Sequence, residues 1–156
     1  MSISGGCQCG AVRFRVEGKV GAASICHCRM CQKATGGLFG SYASVRPDEL
    51  TWTRGARQRF QSSNKVWRGF CADCGSPLTY EYGDRLLALA VGAFDQPGEI
   101  RLREQLGSRD RIADFAALAA LPVHEEDEPR AAAHLASITS YQHPDHDTEA
   151  WPPAER

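Results

Sequence analysis

Seven cysteines in three short clusters are the feature that most constrains this chain. The clusters are Cys7-x-Cys9, Cys26-x-Cys28-x2-Cys31 and Cys71-x2-Cys74. A chain of 156 residues, 42% of them hydrophobic, buries enough apolar surface to fold without disulfides. An odd number of cysteines would also leave one thiol unpaired. We therefore predict that the cysteines hold metal rather than form disulfides.

Charge and hydropathy argue against several classes of protein. The net charge of −1 disfavours a general nucleic-acid binder, which carries a basic surface. The first residues, MSISGG, lack the basic and apolar regions of a secretion signal, and no apolar run approaches the ~20 residues of a membrane span. We expect a cytoplasmic protein with no membrane or nucleic-acid partner, in a compartment that keeps thiols reduced. Nothing in the sequence indicates an oligomeric state.

Short alternating segments predict a domain made mainly of β-strands. Val12, Phe14 and Val16 alternate with charged residues at 13, 15 and 17, as in a half-buried strand. Further strands are predicted at residues 24–28, 39–45, 57–61, 65–70, 78–82 and 86–91. Because they are short and separated by turn residues, we expect antiparallel β-sheets.

One helix is predicted near the end of the chain. Ile112, Phe115 and Ala119 keep helical spacing, and Pro122 stops the helix. We expect this helix to cover one edge of a sheet.

The last part of the chain has a different composition. Residues 124–130, HEEDEPR, form a charged stretch that indicates a boundary. We therefore predict a zinc-binding domain at residues 1–123 and a polar extension at residues 124–156. Residues 140–156 are polar and rich in proline, so we expect no helix or strand there.

Glycines that follow two of the clusters indicate how the clusters combine. Either the two pairs form one closed site and the triplet a separate open one, or one cysteine of a pair completes the triplet and the remaining cysteines are incidental. Gly10 follows Cys9 and Gly75 follows Cys74, and glycine after a second ligand permits the tight turn of a zinc knuckle. We therefore favour a four-thiolate zinc site with a structural role. Its ligands are expected to be Cys7, Cys9, Cys71 and Cys74.

The cysteine triplet leaves one corner of a metal site undecided. Cys26 and Cys28 flank one residue of a predicted strand, so their side chains share a face while His27 points the other way. Cys31 supplies a third thiolate. The fourth position is either open, as in catalytic zinc sites, or filled by a histidine. The candidate histidines are His124, His134, His143 and His146.

Three thiolates favour sulfur chemistry at this second site. They neutralise most of the charge of a metal ion, and soft ligands favour a sulfur guest. A zinc ion there could lower the pKa of an external thiol and present it to an aldehyde. It could instead polarise the aldehyde oxygen. The residues do not choose between these modes.

Three linked motifs resemble the signatures of a known family. The motifs GGCQCGAVRF, CHCRMCQKATGG and GFCADCGSPL are similar in order and spacing to those of the glutathione-dependent formaldehyde-activating enzyme family, which includes centromere protein V. The resemblance runs from Gly5 to about Pro122. The chain departs from the family at the segment GSRDRIADF, which offers Ile112 and Ala113 where an aromatic-rich segment with a tryptophan is expected.

The resemblance implies a fold, two metals and an activity. The fold is an antiparallel one of the β-tent type with two zinc ions per chain. The four-cysteine set supplies the structural ligands, and Cys26, Cys28 and Cys31 supply the catalytic ones. The activity is carbon–sulfur lyase chemistry, the reversible joining of formaldehyde and glutathione.

These observations leave two main classes of function. The first is a zinc-dependent carbon–sulfur lyase-type enzyme whose partners are a small thiol and an aldehyde. The alternative is a non-catalytic zinc-binding module that binds a protein partner. A redox-active thiol protein is a third possibility, which would need metal-free thiols of low pKa.

Four arginines on neighbouring predicted strands are a weaker signal: Arg54, Arg57, Arg59 and Arg68. They could bind the carboxylates of an acidic thiol peptide. Solvated strand faces carry such charges more often, and surface ion pairs contribute little. We therefore expect these arginines to lie on a solvated face.

Overall fold

The computed structural model describes residues 2–84, 86–123 and 129–151. Ten strands lie within this part of the chain: β1 Ser2–Gly6, β2 Arg13–Glu17, β3 Ala23–Cys26, β4 Gly40–Val45, β5 Leu50–Arg54, β6 Gln58–Gln61, β7 Val66–Phe70, β8 Pro77–Tyr82, β9 Leu86–Ala90 and β10 Leu102–Leu106. They form two sheets, and the described helices are short, so the predicted mainly β class is confirmed. The β-tent assignment stays a prediction.

The smaller sheet has the strand order β1-β2-β5, and both of its pairings are antiparallel. Its middle strand buries Phe14 and Val16 completely, as the alternation predicts. The same alternation places Arg13 on the outer face, but this side chain is buried too. The reason is an ion pair with the buried Asp95, which satisfies the guanidinium.

The larger sheet has the strand order β10-β3-β4-β9-β8-β7-β6. Its pairings are antiparallel except that β10 is parallel to β3, so the antiparallel prediction is wrong at this edge. The connection that follows β9 passes over β4 and β3 before β10 joins the outer edge of β3. Such a crossover connection allows β10 to run parallel to β3. Every residue of β10 is exposed, so no alternation marks this strand in the sequence.

Side chains from both sheets form one hydrophobic core. Phe14 of the smaller sheet and Leu78 and Leu89 of the larger sheet are fully buried in it. Phe14 packs edge-on against Phe94, with 5.3 Å between ring centroids. Gly5 allows β1 to lie close to the segment that carries Phe94, because a Cβ at this position would lie 2.2 Å from the backbone oxygen of Ala93.

Two α-helices and several 3₁₀ turns complete the described structure. Helix α1, Arg29–Thr35, follows β3 and was not predicted, because its two turns show no clear apolar period. The predicted C-terminal helix is a 3₁₀ helix, Ala113–Ala120, rather than an α-helix. It has no fully buried residue, so packing contributes little to an α-helical form. No helix among the described residues is long and apolar enough to cross a membrane.

The C-terminal part of the chain contacts the smaller sheet. Helix α2, Pro129–Ala136, was not predicted. Residues 140–151 contain no helix or strand, as predicted, but they pack against the loop that follows β1. The charged stretch at 124–128 lies outside the described residues, so the boundary at residue 123 stays a prediction.

Candidate metal centres

The first cysteine group joins two loops that are distant in sequence. Cys7 and Cys9 follow β1, whereas Cys71 and Cys74 lie between β7 and β8. The four sulfur atoms lie within 4.8 Å of one another, with 3.6 Å between Cys7 and Cys9 and 3.8 Å between Cys9 and Cys71. A tetrahedral zinc ion with Zn–S bonds of ~2.3 Å has S–S edges of roughly 3.8 Å. The group could therefore hold such an ion.

A glycine turn shapes each of these two loops. The N–H of Gly10 donates to the carbonyl of Cys7 at 3.1 Å, and the N–H of Gly75 donates to that of Cys71 at 2.9 Å. Both glycines have positive φ, +75° and +76°, which suits glycine alone among ordinary residues. The N–H of Val12 donates to the sulfur of Cys7 at 3.3 Å. The loops thus have the knuckle turns that the glycine positions predict.

The segment 142–151, here called the tail segment, covers the outer side of the four-cysteine group. The N–H of His143 donates to the carbonyl of Gln8 at 2.7 Å. The indole N–H of Trp151 donates to the carbonyl of Cys9. The rings of His143 and Trp151 meet at 5.1 Å between centroids. Sequence reasoning missed this cover, because its contacts span more than a hundred residues.

His143 is buried where the tail segment meets the smaller sheet. Its Nδ1–H donates to the carbonyl of Pro144 at 2.6 Å. Nε2 can then accept from the guanidinium of Arg54 at 3.3 Å and from the hydroxyl of Thr148 at 3.1 Å. Burial lowers the pKa of His143, so this ring is neutral and acts as an acceptor in the contact.

An ion-pair network, buried at Arg13 and Asp95 and partly exposed at Asp147 and Arg15, fastens the tail segment to β2. Asp147 accepts from Arg13 at 2.9 Å and from Arg15 at 2.6 Å. Arg13 also makes a two-bond ion pair with Asp95, at 2.7 and 2.6 Å. Burial alone would raise the pKa of Asp95, but hydrogen bonds from Arg13 and Ser4 hold it below its usual value. Asp95 is therefore charged at neutral pH.

The second cysteine group lies where β3 ends and α1 begins. The sulfur atoms of Cys26, Cys28 and Cys31 lie within 4.8 Å of one another, and those of Cys26 and Cys28 are 3.4 Å apart. Cys28 immediately precedes α1, and Cys31 lies in its first turn. Side chains in a helix point back toward its N-terminus, which brings Cys31 to the strand end. His27 points the other way, as predicted, and its side chain is fully buried.

The pocket around His27 explains why this residue lies away from the sulfurs. Its Nε2–H donates to the side-chain oxygen of Gln105 at 3.0 Å. Its ring packs edge-on against Phe115 at 4.6 Å and Phe39 at 6.0 Å between centroids. Phe115 thus supplies an aromatic ring from the segment that departs from the family pattern.

The turn after β10 supports the triplet from behind, and sequence reasoning missed it. The N–H of His27 pairs with the last carbonyl of β10 at 2.9 Å. The side-chain amide of Gln32 donates to the carbonyls of His27 and Asp110 at 2.7 and 3.0 Å. Gly107 has φ of +64°, and a Cβ there would lie 2.8 Å from the backbone nitrogen of Cys28. That glycine is the only sequence signal of this contact.

The fourth position at the triplet has no protein ligand within the described residues. No histidine nitrogen or carboxylate oxygen from this part of the chain joins the three sulfurs. His143 contacts the loop of the other cysteine group, and neither His134 nor His146 belongs to a metal-binding group. The candidate His124 lies outside the described residues. Catalytic roles for the three cysteines stay a prediction.

A comparison with protein families adds to this geometry. Residues 2–107 match the family described as glutathione-dependent formaldehyde-activating enzyme. The match covers about two thirds of the chain and all seven cysteines. The chain belongs to this family. The match ends just after β10, so the tail segment lies beyond it. A comparison with curated proteins finds no match.

In this family member, Arg68 is buried beside the triplet. Its guanidinium donates to the sulfur of Cys31 at 3.3 Å, to the hydroxyl of Tyr42 at 3.0 Å and to that of Ser62 at 3.1 Å. It also lies over the ring of Tyr80, 5.1 Å from the centroid. The expectation of a solvated face is therefore wrong for Arg68, because the sulfur and the two phenol rings enclose it.

The other three arginines have different partners. Arg57 and Arg59 donate to the carboxylate of Glu81 at 2.8 and 3.1 Å. Arg54 donates to the hydroxyl of Thr148 at 3.0 Å and so holds the tail segment. None of the three lines the space beside the triplet.

Two of the cavities near the cysteine groups are lined by cysteines. The one beside the triplet, here called the triplet cavity, has a volume of about 180 Å³ and is lined by the three sulfur-bearing residues and Arg68. A larger one of about 330 Å³ lies between the tail segment and the core and is lined by Cys7, Arg13, Asp95 and His143. In the larger cavity the opposite charges already pair with each other. The triplet cavity is therefore the better candidate for chemistry.

The thiols within each group differ in their affinity for protons. Burial raises the pKa of Cys7 and Cys26 to about 12. At Cys74, hydrogen bonds from Ser76 outweigh burial and lower the pKa to about 6. At Cys28, burial is likewise outweighed, by hydrogen bonds from Cys31 and Cys26, and the pKa is lowered. Since metals bind thiolates, loading either group releases protons.

Proposed function

We propose that this protein is a zinc-dependent enzyme that joins or splits a carbon–sulfur bond between a small, glutathione-like thiol and a formaldehyde-like aldehyde. Family membership supports this proposal. The observation that carries it is the triplet, in which three cysteine sulfurs line a cavity and no further ligand joins them within the described residues. Three ligands and an open position are the pattern of a catalytic zinc site.

The two groups would have different roles, with one zinc ion in each. The four-cysteine group would hold a structural ion, because four thiolates complete a tetrahedron. Cys26, Cys28 and Cys31 would hold the catalytic ion. Both sets fit zinc, since cysteine sulfurs at tetrahedral spacing are a soft donor set.

Residues around the triplet would assist the bond change. A zinc ion held there would supply a position that binds the thiol as thiolate or polarises the aldehyde oxygen. In the forward direction the thiol loses its proton, its sulfur bonds to the carbonyl carbon, and the π electron pair moves to the oxygen, which takes up one proton, so that no net proton is gained or lost. The reverse reaction breaks the same bond. The Tyr42 oxygen accepts from Arg68, so its hydroxyl proton can point toward an oxygen in the cavity.

Exchange of formaldehyde between its free form and its glutathione adduct tests this function. The zinc-loaded full chain should accelerate the exchange, measured by NMR, well beyond the spontaneous rate. Cys28→Ser should lower the zinc content from two ions to about one per chain and abolish the acceleration, while the circular dichroism spectrum stays native. Lys33→Gln, an exposed change on the same helix, is the control and should behave as wild type.

Two results would contradict the proposal. One is a protein with two bound zinc ions that accelerates no thiol–aldehyde exchange. The other is a Cys28→Ser variant that keeps both ions and full activity. The alternative, a zinc module that binds a protein partner, would then be favoured, and the exposed Leu102 and Leu106 on the edge strand β10 offer an apolar contact surface.

A further inference from the structure

The triplet cavity is small and mostly apolar. Its volume is about 180 Å³. Away from the cysteines, its apolar wall is formed by Met30, Val66, Leu86, Ala88 and Leu106, and the remaining lining residues are Ser24, Ser44, Tyr42, Tyr80 and Arg68. An apolar protein cavity of ~150 Å³ is large enough to bind benzene. The triplet cavity therefore has room for an organic group of about that size.

Neither substrate in the family's name matches the size of this cavity. Formaldehyde is close in size to water, whose share of liquid volume is ~30 Å³, so it would leave most of the cavity empty. Sites that enclose drug-sized ligands have volumes of ~300–1,000 Å³, so a tripeptide such as glutathione cannot be enclosed. The cavity lies between these two sizes.

The charge of the site disfavours an acidic group in the cavity. Arg68 is the only cationic side chain among the residues that line it. Its described partners are the Cys31 sulfur and two hydroxyl groups, and no described carboxylate pairs with it. Three thiolates and a divalent ion leave one net negative charge, which the guanidinium balances. No positive charge remains for a carboxylate, and glutathione carries carboxylates at both ends.

We propose that the triplet cavity binds the apolar substituent of an uncharged aldehyde larger than formaldehyde, with its carbonyl group beside the three cysteines. This inference rests on the proposed function and names its substrate class. The charged body of the thiol lies outside the cavity, and only its sulfur reaches the triplet. Each methylene buried in the cavity should favour the aldehyde about fourfold, which corresponds to ~0.8 kcal/mol.

An aldehyde series tests this specificity in the zinc-loaded full chain with glutathione as the fixed thiol. We expect kcat/KM for adduct formation to rise about fourfold per methylene from formaldehyde to butanal and to level off when the cavity is full. Glyoxylate and succinic semialdehyde, which carry a carboxylate, should react at least tenfold less well than uncharged aldehydes of equal length. A flat series, a preference for formaldehyde or a preference for the charged aldehydes would overturn the proposal.

Leu106→Ala and Leu102→Ala form a matched pair on the same exposed strand. Leu106 lines the cavity and Leu102 does not, although their exposed fractions are similar, 47% and 52%. Leu106→Ala should reduce the preference for butanal over formaldehyde by at least threefold. Leu102→Ala should keep the wild-type preference. Equal effects of the two changes would contradict the assignment of this cavity.

A thiol series and a binding probe separate this inference from the proposed function. With formaldehyde fixed, lengthening an alkyl thiol should not raise kcat/KM, and a rise confined to thiols would overturn the aldehyde assignment. The unreactive probe 1-butanol should shift the NMR signal of the Met30 methyl group in the zinc-loaded protein. A shift without any turnover supports the cavity and contradicts the enzyme. Turnover of formaldehyde without a shift contradicts the cavity alone.

Discussion

The two cysteine groups use the same ligand but differ in what surrounds them. At the four-cysteine group, the N–H of Val12 faces a sulfur, and His143 and Trp151 of the tail segment contact the first loop. At the triplet, the sulfurs face a cavity, with Arg68 beside one of them. The first group is contacted by the tail segment and borders a cavity only at Cys7, whereas all three cysteines of the triplet line one. We therefore predict that the triplet is the group that exchanges a ligand.

The groups also differ in how much of the chain each one ties together. The ligands of the first group come from two loops more than sixty residues apart, so a metal ion there joins β1 to the β7–β8 connection. The ligands of the triplet lie within residues 26–31 and connect little beyond one strand end and one helix. Closing a long loop restricts the unfolded chain far more than closing a short one. A metal ion in the first group should therefore contribute much more to folding.

Cys74→Ser should have the largest effect of any change that tests this contrast. Structural zinc contributes on the order of 10–16 kcal/mol in small zinc peptides, more than the ~5–15 kcal/mol stability of a typical domain. We expect Cys74→Ser to lose the native circular dichroism spectrum, whereas Cys28→Ser keeps it. Thermal unfolding of the two variants, followed together with zinc content, makes the comparison. A folded Cys74→Ser protein would contradict the structural role of the first group.

Asp95→Ala should have the next largest effect, because it removes the two-bond partner of the buried Arg13 and leaves only the partly exposed Asp147 paired with it. Breaking a buried ion pair typically costs ~3–5 kcal/mol, and because Asp147 still compensates part of the charge, we expect a loss of about 3 kcal/mol. Urea unfolding of the zinc-loaded protein should show a decrease of that size in the free energy of unfolding. Asp48→Ala is the matched control, because Asp48 pairs with Arg46 at 2.6 Å but both side chains are well exposed. An equal loss of stability in Asp48→Ala would mean that burial of the ion pair does not determine its contribution to stability.

Glu81→Gln should have a smaller effect that depends on pH. Burial alone would raise the pKa of Glu81, but hydrogen bonds from Arg57, Thr79 and Arg59 lower it. The carboxylate therefore stabilises the fold above the unfolded pKa of ~4.3, and this contribution is lost as the pH falls through the lower folded value. We expect a difference of about 1–2 kcal/mol between wild type and variant at pH 6–8.

The same difference should shrink below about pH 4.3 and vanish when the folded carboxyl is protonated. Urea unfolding of both proteins from pH 8 to about pH 3 measures this difference across the range in which it should disappear. Zinc loss in acid affects wild type and variant alike, because Glu81 hydrogen-bonds to no cysteine. A difference that grows in acid would show that the ion pairs of Glu81 do not stabilise the fold.

The cysteine spacing and two glycines carry most of what the sequence predicts about the two groups. Ligand spacing is local, and Gly10 and Gly75 mark turns with positive φ, so the division into four and three could be inferred. The opposite orientation of His27 could be inferred too, because side chains alternate along a strand. These features depend on a few consecutive residues, which is why a single sequence reveals them.

The surroundings of the two groups could not be predicted in the same way. Arg68 is buried because two strands, β4 and β8, and helix α1 place Tyr42, Tyr80 and Cys31 around it, and no local pattern encodes that arrangement. Strand β10 has no buried face and hence no alternation. The tail segment has the composition of an ordinary polar terminus. Its contacts with the loop after β1 and with β2 depend on pairs such as Trp151 and Cys9, 142 residues apart.

Trp151→Ala should have the smallest effect, on the cover of the first group. Trp151 donates to the carbonyl of Cys9, and its ring approaches Gly10, where a Cβ would lie 2.3 Å from an indole carbon. One lost hydrogen bond of about 1 kcal/mol should raise the rate of zinc transfer to a coloured chelator about fivefold. Only the more slowly released ion, which we assign to the four-cysteine group, should respond.

Trp67→Ala provides the matched control for that change, because Trp67 is 40% exposed on β7 and stacks with Arg59 away from both cysteine groups. The Trp67→Ala protein should release both zinc ions at the wild-type rates. If Trp151→Ala instead accelerates release of the faster ion, which we assign to the triplet, the tail segment protects the triplet. The contrast between a covered and an open group would then be wrong, because the cover would act on the group that faces the cavity.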